Sequence, residues 1–320
     1  MTKQNPITRR GFLGRTGAVG AASFLGLYLA PGPARGAAEE ASDGGYKVGI
    51  YTRPWDQHDY RTALDAIAEA GFRHAGLMTT TTEDRRLVLT GDLAPEECEK
   101  IGHEVKSRGM TIPSVYGGGI PVAKSLEAGI EGLKRLVDNC VAAGARSLLM
   151  GGIGNAKLFD LYYKAIAECC PYAAEKNVPI TVKPHGGTNA TGAECRKCIE
   201  MVGHDNFSLW YDPGNIYYYS DGELDPVDDA AQVGDLVRVG MCIKDFTMSV
   251  EEGKVKKDVW VTPGTGKVDF PAVLANLKKG GFTAGDLVIE CVNRSDPKDL
   301  PALLAEAKKA KAFVEELIGA

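Results

Sequence analysis

From Tyr46 to the C-terminus, short apolar runs alternate eight times with longer segments that have the periodicity of amphipathic helices. Repeated strand-helix alternation favours a parallel sheet, and eight repeats favour a closed one. We therefore predict an α/β fold, a (β/α)8 TIM barrel in a single domain. An open doubly wound sheet is the alternative, but no Gly-x-Gly-x-x-Gly turn follows the first run. The predicted strands are 47–51, 75–78, 111–116, 147–150, 179–183, 207–212, 237–244 and 287–291. The predicted helices are 60–70, 94–108, 125–143, 157–176, 192–202, 226–233, 270–279 and 300–318.

The first 37 residues have a different composition from the rest of the chain. Arg9 and Arg10 precede a Gly/Ala-rich apolar run over 16–30 and a stretch of small residues, which together resemble a twin-arginine export signal. The apolar run is shorter than the 18 to 20 residues or so that cross a bilayer, and glycine dilutes it. We predict a signal peptide at 1–37, a linker at 38–45 and the barrel at 46–320. The protein is then periplasmic or otherwise exported, with no stable membrane span after cleavage.

The charge balance restricts the class of ligand. Residues 1–37 contain five basic residues and no acidic one, so their removal changes the formal charge from -5 to -10. Nucleic-acid affinity depends on Lys and Arg side chains that neutralise phosphates, which argues against a nucleic-acid partner. We expect a small-molecule carbohydrate as the ligand, and a homo-oligomer is compatible with the sequence.

Eight cysteines follow the predicted signal peptide, and two of them, Cys195 and Cys198, form a C-x-x-C pair. This pair is half of a zinc site, a redox pair, or two positions of a helix. No second pair or His motif supports zinc, and the flanking residues have helical periodicity, so we favour the helix.

Polar residues stand at the ends of four predicted strands: Lys183, Asp212, Lys244 and Glu290. The carboxyl ends of parallel barrel strands meet at one rim, where barrel enzymes assemble their sites. Side chains two residues apart on a strand share a face, so His185 points the same way as Lys183. We predict one inward-facing cluster in which Lys183, Glu290 and Asp212 are the catalytic residues.

Five residues near this rim are candidates for substrate binding, and each has a structural alternative. His185 contacts substrate or fixes the adjacent glycine turn, and Asn215 does so or caps a turn. Lys244 is a site residue or a surface lysine at a strand end. Trp55 and Tyr116 follow strands and are suited to stack on the apolar C–H face of a sugar, although core packing explains such aromatics equally well.

Several motifs resemble those of the sugar phosphate isomerase/epimerase family, whose members have a xylose-isomerase-like TIM barrel. The resemblance extends over about residues 46–318 and is more specific for the fold than for the substrate. The matching segments are 48–52 (VGIYT), 70–72 (AGF), 211–215 (YDPGN), 243–245 (IKD) and 264–270 (GTGKVDF), together with Glu290 at the end of the last strand.

The resemblance implies a divalent metal cofactor (Mn, Mg or Zn) that is bound by a Glu, an Asp, a His and a second Glu. Asp212 and Glu290 match two of these positions. Lys183 replaces the first Glu and Cys242 replaces the His, so two of the four ligands are absent. The remaining metal hypothesis uses Asp212, Glu290 and His185. We expect Cys242 to be a neutral, packed thiol, since thiolate suits softer ions.

Lys183 has three chemical interpretations. Its ammonium between Asp212 and Glu290 gives the same net charge as the family's ligands with their ion, so it is able to replace that ion electrostatically. It then keeps its proton and acts as a hydrogen-bond donor or acid. A bound metal would instead lower its pKa and make it a base. Formation of a Schiff base with a keto group is the third interpretation.

These observations predict an exported isomerase or epimerase, or a related dehydratase or lyase. It would transfer a proton next to the carbonyl of a sugar, keto-sugar or cyclitol. Glu290 is predicted as the general base or acid, Lys183 as the acid and electrostatic partner, and Asp212 as the orienting carboxylate. The alternative is a carbohydrate-binding or accessory barrel that lost catalysis together with the metal ligands.

Overall fold

The computed structural model describes residues 45–82 and 84–320. The predicted signal peptide and most of the predicted linker therefore lie outside the described residues. Eight of the strands in the described part are parallel and belong to one sheet, in the order β2-β1-β10-β7-β6-β5-β4-β3. The strands are β1 (Tyr46–Tyr51), β2 (Ala75–Gly76), β3 (Val115–Tyr116), β4 (Leu148–Met150), β5 (Ile180–Val182), β6 (Phe207–Tyr211), β7 (Val237–Ile243), β8 (Thr247–Glu251), β9 (Lys254–Asp258) and β10 (Gly285–Ile289).

Parallel bridges join the two ends of this sheet. His74 pairs with Thr111 and Leu77 pairs with Val115, which connects the β2 segment to the β3 segment. The sheet is therefore a nearly closed barrel, and the predicted (β/α)8 fold is confirmed. All eight predicted runs contain a strand, although several observed strands are only two or three residues long.

The helices surround the barrel, and eight of them match predicted segments within one or two residues. Thr191 and Glu194 form a reciprocal capping box at the start of α5, and Gly144 ends α3 in the left-handed conformation that favours glycine. Among the described residues, no helix is both long and apolar enough to cross a membrane. The helices are α1 (Tyr60–Glu69), α2 (Pro95–Ser107), α3 (Leu126–Ala143), α4 (Phe159–Glu175), α5 (Gly192–Val202), α6 (Pro213–Tyr219), α7 (Pro226–Val233), α8 (Phe270–Lys279) and α9 (Leu300–Ile318).

One α-helix and one β-hairpin in the described part of the chain were not predicted from the sequence. Helix α6 follows β6 directly, and its seven residues are too few to show an apolar period. The antiparallel hairpin of β8 and β9 is largely exposed and rich in charged residues, so it has no buried face that would produce a strand pattern.

Apolar side chains fill the interior of the barrel below its carboxyl rim. Their pattern follows strand parity: Trp210 lies two residues before Asp212, and Val288 lies two residues before Glu290. A separate and larger apolar core lies between the sheet and the helices. The interior layer seals the barrel beneath the predicted cluster and consists of Tyr51, Met78, Leu149, Trp210, Cys242 and Val288.

Candidate active site

Four charged side chains meet at the carboxyl rim of the barrel. Lys183, Asp212, Lys244 and Glu290 each follow the last residue of β5, β6, β7 or β10. All four are buried, with exposed fractions of 2% or less. Because burial of a charge is costly unless the charge is paired, their mutual arrangement decides what this site is able to do.

We call these four residues the charge quartet. Lys183 Nζ lies 2.5 Å from Glu290 Oε2 and 3.3 Å from Asp212 Oδ2. Lys244 Nζ lies 2.8 Å from Glu290 Oε1 and 3.1 Å from Asp212 Oδ2. Each ammonium group therefore contacts both carboxylates, and the quartet is neutral when all four groups are ionised.

Two further side chains bind Glu290. The guanidinium group of Arg53 donates from Nη1 to Glu290 Oε1 at 2.8 Å, and the Cys242 thiol donates to Oε2 at 2.9 Å. Arg53 follows β1 and has a side chain that is 25% exposed, so it extends from the quartet to solvent. With Arg53 included, the charged cluster has a formal charge of one positive unit.

Both lysines are held in the protonated form. Burial by itself lowers the pKa of Lys183, but the negative charges of Glu290 and Asp212 outweigh burial and raise that pKa well above its ordinary value. The same opposing causes give Lys244 a raised pKa. A lysine that keeps its proton is a hydrogen-bond donor and a poor nucleophile, which argues against the Schiff-base interpretation of Lys183.

The acidic partners show the complementary effect. Burial raises the pKa of Glu290, but Lys183, Lys244 and Arg53 together bring it well below its ordinary value. Burial, followed by the charge of Glu290, raises the pKa of the Cys242 thiol well above its ordinary value. Cys242 is thus the neutral, buried thiol that the sequence predicted, and it also donates a hydrogen bond to Glu290.

Two asparagines fix the backbone and side chains around the quartet. Asn215 accepts from Lys244 Nζ at 2.9 Å and donates to the carbonyl of Pro184 at 2.6 Å. Asn189 donates to the carbonyl of Lys183 at 2.8 Å, a contact that sequence reasoning missed. Its position in a Gly-Gly-Thr-Asn loop after β5 was the available signal. Asn215 therefore supports a site lysine, in addition to its predicted role near a turn.

Asp212 has a second role as the N-cap of α6. Its Oδ1 accepts from the backbone N–H of Asn215 at 3.1 Å, while its Oδ2 contacts both lysines. A Cβ atom at Gly214 would lie 2.7 Å from the carbonyl oxygen of Lys244, so glycine permits α6 to approach β7 this closely. The start of α6 and the quartet are thereby built as one unit.

His185 lies beside the quartet at a partly exposed position. Its ring is 6.1 Å from the Tyr116 ring and 6.0 Å from the Tyr219 ring, measured between centroids. Burial, followed by the positive charge of Lys183, lowers its pKa to about 3, so its imidazole is neutral at pH 7. Lys183 Nζ also lies 5.8 Å from the Tyr116 ring centroid, which places both predicted residues near the quartet.

Trp55, which was predicted to stack on substrate, has no exposed surface and packs in the larger apolar core at the end of the 3-10 turn Arg53–Trp55. Its contact with substrate remains a prediction. Another tryptophan, Trp260, lies beside Arg53 at the rim. The guanidinium carbons of Arg53 and Arg294 are 5.2 Å and 3.1 Å from its ring centroid. Sequence reasoning had singled out neither Trp260 nor Arg294.

The donor set does not fit the hard divalent ion that the family resemblance implies. In the described part of the chain, the group whose ligand atoms lie within 4.8 Å of one another is Asp212, Cys242 and Glu290, and it excludes His185. The ammonium of Lys183 lies between the two carboxylates, and the thiol is protonated. An added divalent ion would face three cations that already compensate the carboxylates.

The sequence profile of the family described as xylose isomerase-like TIM barrel matches residues 64–316. A curated relative, the inosose dehydratase of Geobacillus thermodenitrificans (strain NG80-2), is 23% identical over 255 residues, which cover 72% of this chain and 84% of that protein.

Two solved structures are similar in fold. D-psicose 3-epimerase of Clostridium cellulolyticum H10, solved with D-tagatose, superposes with a TM-score of 0.64 at 14% identity over 85% of this chain and 99% of that one. A xylose isomerase-like TIM barrel protein of Mycobacterium smegmatis, solved with magnesium, superposes with a TM-score of 0.63 at 15% identity. The match covers 83% of this chain and 97% of that one.

Proposed function

This chain belongs to the xylose isomerase-like TIM barrel family, and we propose that it is an enzyme that transfers a proton next to the carbonyl group of a sugar, keto-sugar or cyclitol. Isomerisation and epimerisation through an enediolate, and dehydration through an enolate, all begin with this step. The single observation behind the proposal is the pair of buried, protonated lysines that two carboxylates hold at the carboxyl rim. The names of the dehydratase relative and the epimerase neighbour support the same reaction class.

The two ammonium groups supply the electrophile in this proposal. Loss of a proton next to a carbonyl places negative charge on the carbonyl oxygen, and donors that are fixed in a buried site stabilise that charge strongly. Lys183 and Lys244 are fixed by Glu290, Asp212 and Asn215 before substrate arrives. They therefore need little reorganisation when the charge develops.

We assign the proton transfer to His185. Its imidazole is neutral and partly exposed, and within residues 45–82 and 84–320 its ring makes no hydrogen bond. Glu290 is the weaker choice because four donors in the protein already contact its two oxygens. Negative charge that develops on the substrate would raise the pKa of His185 and favour its protonation.

Glu290 and Asp212 are the counter-ions of the lysines in this proposal. They keep Lys183 and Lys244 protonated and fix the direction of their remaining N–H groups. That Glu290 is itself the general base or acid remains a prediction. The variants His185→Gln and Glu290→Gln distinguish this role from the one given to His185.

Hydrogen exchange in D2O tests the reaction class without knowledge of the product. The full chain is incubated with D-fructose, D-tagatose or an inosose, and proton NMR follows the signal of the C–H group next to the carbonyl. We expect loss of that signal with wild type, and no loss with Lys183→Met. His185→Gln should prevent exchange while Glu290→Gln retains a slow rate. The reverse result would make Glu290 the base, and full activity of both Lys183→Met and Glu290→Gln would place the active site elsewhere.

A carbohydrate-binding barrel without catalysis is the second candidate, because Lys183 and Cys242 replace two of the family's four metal ligands. Saturable binding of a sugar with no deuterium incorporation and no new product, with or without manganese, would favour this candidate over the enzyme.

Export by the twin-arginine route is part of the proposal and rests on Arg9 and Arg10 with the small-residue stretch that follows. Expression in a bacterial host followed by cell fractionation tests it. We expect a shortened chain outside the cytoplasm, with a new N-terminus near residues 36 to 38. Arg9→Lys together with Arg10→Lys should retain the full-length chain inside the cell. A wild-type chain that stays full length in the cytoplasm would contradict export.

A further inference from the structure

Two arginines lie over one tryptophan ring at the mouth of the site. Arg53 follows β1 and Arg294 follows β10, and their guanidinium groups are 5.2 Å and 3.1 Å from the centroid of Trp260. Guanidinium groups that stack on an aromatic ring keep their edges available for hydrogen bonds. Asp245 accepts from the backbone N–H groups of Gly264 and Gly266 and thereby anchors the loop that contains Trp260.

Most of the hydrogen-bond donors on these two arginines have no partner among the residues that the structure describes. Arg53 uses Nη1 to contact Glu290, and Arg294 uses Nη1 to contact Asp56 at 2.5 Å. Within the described ranges, the other guanidinium nitrogens of both residues form no hydrogen bond, and the side chains are 25% and 16% exposed. Free, solvent-accessible donors on guanidinium groups that approach the same tryptophan ring are suited to bind an oxyanion.

The charge of this region is not balanced. The quartet is neutral, the Arg294–Asp56 pair is neutral, and Arg53 shares a carboxylate that Lys183 and Lys244 already contact. One positive charge therefore remains, and it lies on the side chain that extends from the buried quartet to solvent. A ligand with one negative charge would neutralise it, whereas a phosphate ester, with nearly two, would leave an excess of negative charge.

We propose that the substrate is a sugar acid whose carboxylate binds to Arg53 and Arg294 beside Trp260, while its carbonyl group reaches Lys183 and Lys244. This inference rests on the proposed function and specifies its substrate class. The competing explanation is that the extra charge of Arg53 serves only the oxyanion that develops on a neutral sugar during the reaction.

A matched pair of ligands separates these explanations. 2-Keto-D-gluconate and D-fructose share the keto group and differ at C1, where one has a carboxylate and the other a hydroxymethyl group. Titration calorimetry with the full chain at pH 7 should show the keto acid binding at least about tenfold more tightly, as expected for a charge-assisted contact. That preference should decrease as the salt concentration rises.

Variants of Arg294 locate the carboxylate. Arg294→Gln should reduce the preference for the keto acid to within about threefold, and Arg294→Lys should retain part of it, because the charge remains but the forked donor geometry of a guanidinium group is lost. Asp56→Asn removes the carboxylate that competes for Arg294 and should strengthen binding of the keto acid. Arg238→Gln is the matched control, since Arg238 lies near the amino end of β7, away from the carboxyl rim, and pairs with the fully exposed Asp205. It should leave the preference unchanged.

The outcomes separate this inference from the proposed function. If D-fructose exchanges deuterium and the keto acid binds no more tightly than D-fructose, the carboxylate site is refuted and the reaction class stands. If the keto acid binds tightly through Arg294 and no ligand exchanges deuterium, the anion site stands and the enzymatic proposal fails. Tighter binding of D-fructose 1-phosphate than of the keto acid would overturn the assignment of a carboxylate. Thermal melting of each variant establishes that it is folded.

Discussion

Strand β10 has an acidic residue near each end, and the two acids behave in opposite ways. Asp286, near the amino end, pairs with Arg146 at 2.5 Å, and burial outweighs that partner and raises the pKa of Asp286. Glu290, directly after the carboxyl end, is more completely buried than Asp286, yet three nearby cations bring the pKa of Glu290 well below its ordinary value. The positive charges near Asp286 therefore do not offset the effect of burial on its carboxylate, whereas those near Glu290 more than offset it.

The difference lies in the number of cations and in what they contact. Asp286 has one ion-pair partner, Arg146, which is itself 34% exposed, and Arg146 together with the charge of Lys47 offsets the burial of this carboxylate only in part. At the other end, Lys183, Lys244 and Arg53 are gathered around Glu290. Replacement of a buried ion cluster by apolar side chains is often neutral or stabilising, so stability alone does not explain such a cluster. Function is the better explanation.

Loss of turnover is the largest effect that distinguishes the two ends of β10. In the proposed mechanism Lys183→Met removes a donor to the developing oxyanion, and we expect the deuterium-exchange rate to fall at least about 100-fold. Asp286→Asn changes the other end of the barrel and should keep the wild-type rate, measured with the same keto-sugars. A comparable loss in both variants would mean that activity depends on the whole barrel and would remove the functional distinction between its rims.

Stability should differ next. Glu290→Gln leaves the positive charges of Lys183, Lys244 and Arg53 with less compensation, and we expect it to lower the free energy of unfolding by about 3 to 5 kcal/mol. Asp286→Asn should change it by no more than about 1 kcal/mol, since its partner is partly exposed. Urea denaturation measures both. The Lys183→Met, Glu290→Gln double variant should lose less than the sum of the single variants, and strict additivity would argue against a coupled cluster.

The dependence of stability on pH gives a third comparison, because His185 and Asp286 should change the free energy of unfolding in opposite directions as the pH falls. The lowered pKa of His185, about 3 against 6.5 in an unfolded chain, stabilises the fold fully above pH 6.5, and this contribution is lost as pH falls from 6.5 towards 3. The raised pKa of Asp286 means that its carboxyl takes up a proton earlier in the folded state, so acid relieves its penalty.

Denaturation at several pH values between 7 and 4 measures these contributions. His185→Gln should flatten the loss of stability by at most about 1.4 kcal/mol per pH unit, and Asp286→Asn should make the loss steeper. Parallel profiles for wild type and both variants would show that neither pKa shift is present in solution.

The smallest effect concerns metal ions. Because the ammonium of Lys183 lies between the carboxylates, we expect manganese or magnesium at millimolar concentration to change the melting temperature by less than about 1 °C. The double variant Lys183→Glu, Cys242→His restores the four ligand types that the family resemblance implies, and manganese should raise its melting temperature. A clear manganese-induced stabilisation of wild type, with metal retained after dialysis, would contradict the role given to Lys183.

The sequence was sufficient to predict the barrel and the core of its site. Eight apolar runs gave the strands, and the two-residue period of a strand brought Lys183, Asp212 and Glu290 to the same rim. Lys244 was assigned to substrate binding, and its contacts place it equally within the quartet. Strand parity predicted these positions correctly because the interior of the barrel is densely packed. Each inward-facing side chain can therefore point in only one direction.

Residues in the loops after the strands were less predictable. Arg53 and Glu290 are 237 positions apart, and their contact exists only because closure of the sheet makes β1 and β10 neighbours. The packing of Trp55 in the larger core was not predictable, because the direction of a side chain in a short 3-10 turn does not follow strand parity. Trp260 and Arg294 have no periodic pattern that would distinguish them from other loop residues. Their pairing depends on tertiary structure alone.

Helix α6 has a consequence for how this site is able to diversify. Asp212 caps one end of the helix, and Tyr219 at the other end contacts His185, so about 10 Å of regular helix acts as a fixed spacer between them. Any insertion, deletion or substitution that lengthens, shortens or bends this helix would displace Asp212, the partner of both lysines, together with the imidazole of His185. New substrate preferences in related chains are therefore expected to arise on the opposite side of the mouth, where Arg53 and Trp260 are positioned by loops that tolerate exchange.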